Sequence, residues 1–435
     1  MLEKYLPHNS FKIDEKSFSL RDPHLLALSA LKYQYSPHWW KNLTTSTPGI
    51  YILTGGRQVG KSTSCKLFIQ HCIRQILYPS ENILYLPCDE IFDQKQLSQV
   101  IRCFLQNIKT GPFLLIIDEV TYVPLWERVI KSLADEGAFY QGTCLLTGSD
   151  TLMLKEAAMS FPGRRGQSDV TDFHVYPLNF REYVSLMKNN VSPSEKELND
   201  FFQQYLQCGG YLRAINDVAA HGKILSATFQ TYEQWIRGDF LKQGKNEFYL
   251  MMLLDALISV GVSQVSFSAL TQKIGSMSKE TCLDYYRLLE RMDVVFTMQA
   301  YDQNKKQGFP KKARKFHFMD PFIRHAVMQY LSREGRIFPA VEESMLVESV
   351  VASHCHRLQH TYYFKGQGEV DIILPKVDGL LAIEIKWANQ VRSSDMKTLR
   401  QFPNRLLLTK HDGSNEIDGI RAMPIPMFLY NENDY

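Results

Sequence analysis

The sequence predicts an α/β protein whose first half is a parallel sheet with helices on both faces. Continuous apolar runs at residues 50–53, 83–86, 113–117 and 143–147 indicate the strands, and segments with helical spacing separate them. Runs without polar alternation are typical of strands that are buried on both faces. A fifth strand is expected at residues 174–178. The second half shows two other patterns, which predict a helical domain with a hairpin and a smaller α/β domain.

The first strand leads into the segment YILTGGRQVGKST at residues 51–63. It fits the P-loop pattern G-x-x-x-x-G-K-[ST] in full, between a strand and a helix as that loop requires. The glycines let several backbone N–H groups point at one anion, and the helix amino terminus adds a positive dipole end. We expect Lys61 to reach the β- and γ-phosphates of a nucleotide and Ser62 to hold Mg²⁺. The expected nucleotide-binding residues are Gly55, Gly56, Arg57, Gln58, Val59, Gly60, Lys61, Ser62 and Thr63.

An acidic pair ends the third predicted strand. Asp118 and Glu119 follow an apolar run, and ligands of parallel sheets bind at the carboxyl ends of the strands. We expect Asp118 to hold Mg²⁺, directly or through water, and Glu119 to orient and deprotonate the attacking water. Ser149, at the end of the fourth strand, is placed to touch the γ-phosphate or this water. The alternative for Asp118 and Glu119 is a solvated acidic turn.

Arg164 and Arg165 are candidates for an arginine finger. They lie in the stretch FPGRRG, on a hinge that glycines make flexible. Such an arginine stabilises the charge that develops during phosphoryl transfer. It would act in cis or across a subunit boundary, and the alternative is a solvated turn.

These motifs resemble those of the bacterial and archaeal AAA+ ATPases of the additional-strand class. The likeness rests on GGRQVGKST, LLIIDE, LLTGSD, FPGRRG followed by YPLNFREY, and CGGYLRAI, and it extends from about residue 20 to the end of the chain. Gly56, Ser62 and Leu212 depart from the usual residues, the last of them from a proline. The resemblance implies that the nucleotide is ATP, and that the carboxyl half carries a winged helix and a restriction-endonuclease-like domain.

Residues 236–335 show the order of a winged helix, with two helices followed by a hairpin. A short helix is expected from residue 267 until Gly275 closes it, and Ser278 can cap the next. The loop KKQGFPKKARK at residues 305–315 has six Lys or Arg residues and no acid, so it could lie along phosphates. The alternative is an interdomain or subunit contact. The DNA-contact candidates are Lys305, Lys306, Lys311, Lys312, Arg314 and Lys315.

The last hundred or so residues resemble the PD-(D/E)XK nuclease pattern. Glu348 lies in a predicted helix, Asp371 in a strand, and the next strand carries Glu384 and Lys386 on one face, since side chains alternate along a strand. We expect Asp371 and Glu384 to hold Mg²⁺, Glu348 to complete the metal site, and Lys386 to steady the attacking water. The alternatives are a solvated strand face and a non-cutting DNA clamp.

The totals exclude some classes of protein. A net charge of +3 over 435 residues gives no global polyelectrolyte signal, so a nucleic-acid site has to come from local basic patches. Eight scattered cysteines without a CxxC pair fit reduced thiols. No apolar stretch reaches the ~18 residues of a membrane span, and the beginning MLEKYLPHNS lacks the apolar region of a signal peptide. We expect a cytoplasmic protein with no membrane partner.

The expected organisation is an approach segment (1–48), an AAA+ ATPase domain (49–235), a winged helix (236–335) and a nuclease-like domain (336–435). The expected function is ATP hydrolysis coupled to the handling of branched or broken DNA, with DNA cleavage left open. The alternative is a nucleotide-dependent switch that binds protein partners and has an inert nuclease fold. A homo-oligomer stays open.

Overall fold

A computed structural model of the chain describes residues 2–37, 39–43, 47–159, 161, 163–338, 342–377, 379–410 and 416–431. Pro162 of the FPGRRG stretch lies outside these residues. The chain divides into two compact units, Met1–Tyr176 and Pro177–Tyr435. Among the described residues, no helix is both long and apolar enough to cross a bilayer.

The first unit alternates strands and helices after an amino-terminal segment. The helices are α1 (Phe18–Arg21), α2 (Pro23–Ser29), α3 (Lys61–Arg74), α4 (Gln94–Asn107), α5 (Trp126–Asp135) and α6 (Thr151–Ala158). The strands are β1 (Gly49–Thr54), β2 (Ile83–Pro87), β3 (Phe113–Asp118), β4 (Gly142–Thr147) and β5 (Asp172–His174).

These strands form one parallel sheet in the order β2-β3-β4-β1-β5. Strand β4 lies between β1, which leads into the P-loop, and β3, which ends at Asp118. Successive residues of β1 pack into different cores, with Ile50 and Ile52 on one face and Tyr51 and Leu53 on the other. This explains why the strands read as continuous apolar runs, and it confirms the predicted sheet with two covered faces.

The fifth strand is shorter than predicted. It spans Asp172–His174 rather than residues 174–178. Beyond its end, the N–H of Val175 still donates to Thr54 O at 2.9 Å, but Pro177 has no N–H to continue a ladder. The strand therefore ends soon after it passes the last residue of β1.

The amino-terminal segment covers the sheet edge at β2. Asn9 is 1% exposed; its amide donates to Tyr85 O at 2.8 Å, and its carbonyl oxygen accepts from the Tyr85 N–H at 2.7 Å. An asparagine side chain thus takes the place of a neighbouring strand. Asp22 caps α2 by accepting from the His24 and Leu25 N–H groups.

The second unit begins with helices and continues into a mixed region. The helices are α7 (Phe180–Lys188), α8 (Glu195–Cys208), α9 (Leu212–His221), α10 (Ser226–Lys242), α11 (Glu247–Val260), α12 (Phe267–Ile274), α13 (Lys279–Arg291), α14 (Pro321–Arg333), α15 (Glu343–Leu358) and α16 (Ile425–Tyr430). The strands are β6 (Val295–Asp302), β7 (Gln307–Gly308), β8 (Arg314–Phe318), β9 (Tyr362–Lys365), β10 (Glu369–Lys376), β11 (Gly379–Lys386), β12 (Asn404–Thr409), β13 (Glu416–Ile417) and β14 (Ile420–Pro424).

One sheet runs through the second unit in the order β13-β14-β12-β11-β10-β9-β6-β7, and β8 also pairs with β6. The hairpin of β6 and β8 follows α12 and α13, as the sequence predicts. It joins the last domain because β6 and β9 pair in parallel through Gln299–Tyr362 and Ala300–Tyr363. The basic hairpin and the carboxylate-bearing strands β10 and β11 therefore belong to one sheet.

The Gly209–Gly210 pair has a packing role in this unit. A Cβ at Gly209 would lie 1.9 Å from Asp320 Oδ1, and one at Gly210 would lie 2.0 Å from Leu178 O. The Gly210 N–H donates to Asp320 Oδ2 at 2.9 Å. Only glycine permits this close approach of backbone to a buried carboxylate.

Candidate functional site

The P-loop lies between the end of β1 and the start of α3. Gly55 has φ +145°, and a Cβ there would lie 2.3 Å from Val175 O. Gly60 has φ +93° and is the residue before the first helical position, Lys61. The two glycines are thus required by a close approach and by a left-handed turn. The turn places the amino terminus of a fourteen-residue helix at the loop, as anion binding requires.

Lys61 points back into its own loop. Its Nζ donates to Gly55 O at 2.8 Å and to Gly56 O at 2.9 Å, and it lies 3.7 Å from Glu119 Oε1. The side chain is 5% exposed. The structure thus brings together the loop lysine and one of the two predicted acidic residues.

Asp118 is held from three sides. Its Oδ2 accepts from the Ser62 hydroxyl at 2.6 Å and also from the Tyr85 hydroxyl, while its Oδ1 accepts from the Thr147 hydroxyl. The serine and the aspartate that were predicted to share Mg²⁺ are therefore in direct contact. Burial, and then the Asp118 carboxylate, raise the pKa of Tyr85 well above its ordinary value, so Tyr85 remains a hydrogen-bond donor.

Glu119 is oriented by the end of β4. Its φ is +52°, its N–H donates to Thr147 Oγ1 at 3.1 Å, and its Oε2 accepts from the N–H and the hydroxyl of Ser149 at 2.9 and 3.0 Å. Ser149 therefore contacts the predicted base itself. Sequence reasoning missed Tyr85 and the bond from Thr147 to Asp118, because both depend on which strands are neighbours.

A buried ion pair lies behind this site. Lys66 Nζ is 3.0 Å from Asp22 Oδ2, and the two side chains are 0% and 1% exposed. The same ammonium lies 3.6 Å from the centroid of the Tyr85 ring. The amino-terminal segment thus reaches Asp118 through Lys66 and Tyr85.

Arg164 and Arg165 lie away from the P-loop. Arg165 pairs with Asp172 at 2.7 Å, and its Nε donates to Ile50 O at 3.4 Å, near the amino end of β1. Arg164 pairs with Asp135, the last residue of α5. At about 3.3 Å per residue along β1, the P-loop is roughly 15 Å from Ile50. An arginine finger acting in cis is therefore contradicted; one acting across a subunit boundary remains a prediction.

The second unit brings its predicted acidic residues close together. Asp371 Oδ2 accepts from the Ile385 N–H at 2.9 Å, and Glu384 Oε1 lies 2.7 Å from Lys386 Nζ. Burial, and then Asp371, raise the pKa of Glu384 to about 8. The same two causes raise the pKa of Glu348 to about 7. Within the described part of the chain, Glu384 Oε2 has no hydrogen-bond partner.

Lys315 lies inside this cluster, so its prediction as a DNA contact is wrong. Its Nζ is 2.7 Å from Glu348 Oε1, 2.7 Å from Glu369 Oε1 and 3.4 Å from Asp371 Oδ1, and its side chain is 2% exposed. The alternation of side chains along β8 turns it inward, beside the helix that carries Glu348. Burial lowers the pKa of Lys315, but the carboxylates more than offset this and raise it above the ordinary value.

Glu348 is correspondingly turned toward Lys315. In the residues that the structure describes, no three His, Cys, Asp or Glu side chains are arranged to hold a metal ion. The predicted set of Glu348, Asp371 and Glu384 is therefore not assembled as a ready three-ligand site. The oxygen-rich pair that remains for a cation is Asp371 with Glu384.

The basic loop between β6 and β8 keeps most of its lysines exposed. Lys305, Lys306, Lys311 and Lys312 are exposed, and Lys312 Nζ donates to Lys365 O at 3.1 Å. Arg314 is half-buried, with its guanidinium 5.0 Å from the centre of the Phe267 ring. The loop thus lies beside β9, two strands from Glu384.

Residues 47–184 match the model of a protein family described as an AAA domain. Residues 199–334 and 340–428 match two families described as domains of unknown function. The uncharacterized protein MJ1637 of Methanocaldococcus jannaschii is 22% identical over 390 residues, which cover 81% of this chain and 78% of that protein.

Solved structures also resemble the chain, at low sequence identity. A Walker-type ATPase of Pyrococcus abyssi has a TM-score of 0.45 and 12% identity, covering 64% of this chain and 91% of that one. The ORC2 protein of Aeropyrum pernix has a TM-score of 0.38 and 11% identity, covering 75% and 94%. The family match, the parallel sheet and the P-loop agree with one another. Residues 47–184 therefore carry an AAA-type P-loop ATPase domain.

Proposed function

We propose that the protein hydrolyses ATP with Mg²⁺ and uses this reaction in the handling of DNA. The observation that carries the first part is the contact of Ser62 with Asp118 at 2.6 Å, at the carboxyl edge of the sheet where Lys61 and Glu119 also meet. A glycine-lined loop, a lysine, a hydroxyl and a carboxylate are the donor set that a magnesium–triphosphate complex needs.

Each residue has a distinct part in this reaction. Lys61 would leave the carbonyls of Gly55 and Gly56 and neutralise the β- and γ-phosphates. Ser62 and Asp118 would hold Mg²⁺, which when bound supplies charge neutralisation between those phosphates. Glu119 would accept a proton from the attacking water, and Ser149 keeps its carboxylate in place.

The proposed action on DNA is supported by the second unit. The exposed lysines of the loop at residues 305–312 would lie along a phosphate backbone, where each contact would release a counterion. The loop belongs to the same sheet as Asp371 and Glu384. A duplex on the basic hairpin would therefore lie near the carboxylate cluster.

The test is steady-state phosphate release with duplex, single-stranded and four-way DNA, and without DNA. We expect Mg²⁺-dependent turnover that at least one of these DNA forms raises several-fold. We also expect a binding constant that falls steeply with salt, and a shallower slope for the Lys311→Ala, Lys312→Ala double variant. ATP turnover that does not change when DNA is added, together with DNA binding that does not depend on the salt concentration, would refute the DNA role.

The nucleotide-dependent switch remains the second candidate, and the Lys315 ion pairs favour it. They engage Glu348, one of the predicted metal ligands, so the cluster is not a ready cleavage site. Asp371→Ala separates the two cases. Loss of Mg²⁺- or Mn²⁺-dependent DNA cleavage in this variant would establish a nuclease, whereas wild-type protein that never cuts any DNA form would favour the switch.

A further inference from the structure

The carboxylate cluster of the second unit contains a cation that its sequence motif does not include. Glu348, Glu369, Asp371 and Glu384 are the acidic members, and Lys386 is the motif lysine. Lys315 comes from the basic hairpin, far from the motif in the sequence. It joins the cluster because β8 pairs with β6 and β6 pairs with β9.

Lys315 is fixed in this position by the fold. In the antiparallel hairpin of β6 and β8, Lys315 pairs with Met298. The Tyr363 hydroxyl donates to Ala313 O at 2.5 Å, which fastens the beginning of the strand to β9. Glu369, which forms an ion pair with Lys315, also accepts from the Gln264 side-chain amide. An ammonium held by a strand and by several carboxylates is part of the centre rather than a mobile group.

The ion pairs divide the cluster into two parts. Glu348 and Glu369 each lie 2.7 Å from Lys315, whereas Asp371 lies 3.4 Å from it. Glu384 is 6% exposed, and its Oε2 has no hydrogen-bond partner among the described residues. A buried carboxylate oxygen without a partner carries a large desolvation cost, which a cation would offset. The open acceptor is thus on the Asp371–Glu384 side.

We propose that Lys315 is a resident cation of this centre. It occupies the Glu348–Glu369 side, weakens the attraction of the centre for divalent cations, and leaves one such ion to bind between Asp371 and Glu384. This inference rests on the proposed metal-binding role of the carboxylate cluster. In this account Glu348 is the counter-ion of Lys315 and not a metal ligand.

The experiment is a titration of the full chain with Mn²⁺, without nucleotide, followed by the electron-paramagnetic-resonance signal of free Mn²⁺. Binding that Asp371→Ala abolishes belongs to the centre. We expect one such Mn²⁺ in the wild type. Lys315→Met keeps the length of the side chain but removes its charge, so it should bind this Mn²⁺ at least about ten-fold more tightly than the wild type does. Lys315→Arg keeps the charge and should bind as the wild type does. Lys273→Ala removes an exposed lysine of α12 and should also bind Mn²⁺ as the wild type does.

Equal Mn²⁺ affinity in Lys315→Met and the wild type would overturn the inference but leave the metal centre standing. Binding of two Asp371-dependent Mn²⁺ ions by the wild type would likewise overturn the inference and leave the metal centre standing. Absence of Asp371-dependent binding in every variant would remove the metal centre itself, and the inference with it. If Lys315→Met is unfolded without metal, recovery of a cooperative thermal transition on addition of Mn²⁺ supports the inference, and failure to recover overturns it.

Discussion

Ser149 donates both its N–H and its hydroxyl to the same oxygen of Glu119, at 2.9 and 3.0 Å. Thr147, the last residue of β4, accepts from the Glu119 N–H and donates to Asp118. The end of one strand thus orients both acidic residues at the end of its neighbour. In the proposed ATP hydrolysis, this arrangement would give β4 a part in catalysis, because β4 lies between β1 and β3.

The Ser149–Glu119 contact predicts a graded loss of activity. Ser149→Ala removes one of two hydrogen bonds, a net loss on the order of 1 kcal/mol, and should lower kcat about five- to ten-fold. Glu119→Gln removes the base and should lower kcat by about 100-fold or more. ATP affinity, measured by calorimetry, should change little in either variant. Equal kcat values for the wild type and Ser149→Ala would contradict a positioning role for Ser149.

The Tyr85 hydroxyl predicts a change in magnesium dependence. Tyr85→Phe removes a donor to Asp118 but keeps the ring beside Lys66, so the Mg²⁺ concentration for half-maximal turnover should rise about ten-fold. Tyr78→Phe is the matched control, because it removes a buried hydroxyl that bonds to Thr143 at 2.9 Å, near the amino end of β4. The same Mg²⁺ dependence in both variants would show that Tyr85 does not act through Asp118.

The buried Lys66–Asp22 pair predicts a large loss of stability. Lys66→Met leaves the Asp22 carboxylate buried without its ion-pair partner, which should cost about 3–5 kcal/mol in the free energy of unfolding. Arg102→Met is the control, since Arg102 and Glu136 form an ion pair whose members are 43% and 47% exposed. That change should cost at most about 1 kcal/mol. Urea denaturation measures both, and similar losses would contradict the argument from burial.

Asp320 predicts a dependence of stability on pH. Burial raises its pKa from 3.8 to about 6. A carboxyl group of this kind stabilises the fold most below its unfolded pKa, and that contribution is lost as the pH rises through the folded pKa. Arg357 faces it at 3.9 Å and stays charged. Cys208 and Tyr211 stay neutral because burial raises their pKa values.

The comparison with Asp320→Asn isolates this effect, because asparagine does not titrate. The free energy of unfolding of the wild type, minus that of the variant, should fall by about 2–2.5 kcal/mol between pH 4 and pH 7. Urea titrations at these two pH values give the difference. A difference that stays constant, or that grows with pH, would show that the folded pKa of Asp320 is not raised.

The sequence predicts well what local patterns encode. The P-loop spacing, the acidic pair after an apolar run and the cap at Ser278 each depend on a few neighbouring residues, and the structure places them on the expected strands, loops and helices. The continuous apolar runs also predict the buried parallel sheet, because a strand that is covered on both faces has no polar side.

The sequence alone does not show which distant segments of the chain come into contact. The six basic residues at 305–315 look alike in the sequence, and only the pairing of β6 with β9 shows that Lys315 is buried among carboxylates. Likewise, the FPGRRG stretch does not reveal at which end of the sheet Arg164 and Arg165 lie. Tyr85 looks like an ordinary core residue until β2 is seen beside β3.

The most direct test of the central claim is Mg²⁺-dependent phosphate release from ATP by the wild type and by Lys61→Ala. Loss of the loop lysine removes the cation that neutralises the β- and γ-phosphates, so turnover should fall by at least about 100-fold. Arg102→Met, which removes an exposed cation of α4 and should cost at most about 1 kcal/mol of stability, is the control and should keep the wild-type turnover. Phosphate release by Lys61→Ala at the wild-type rate would contradict the account.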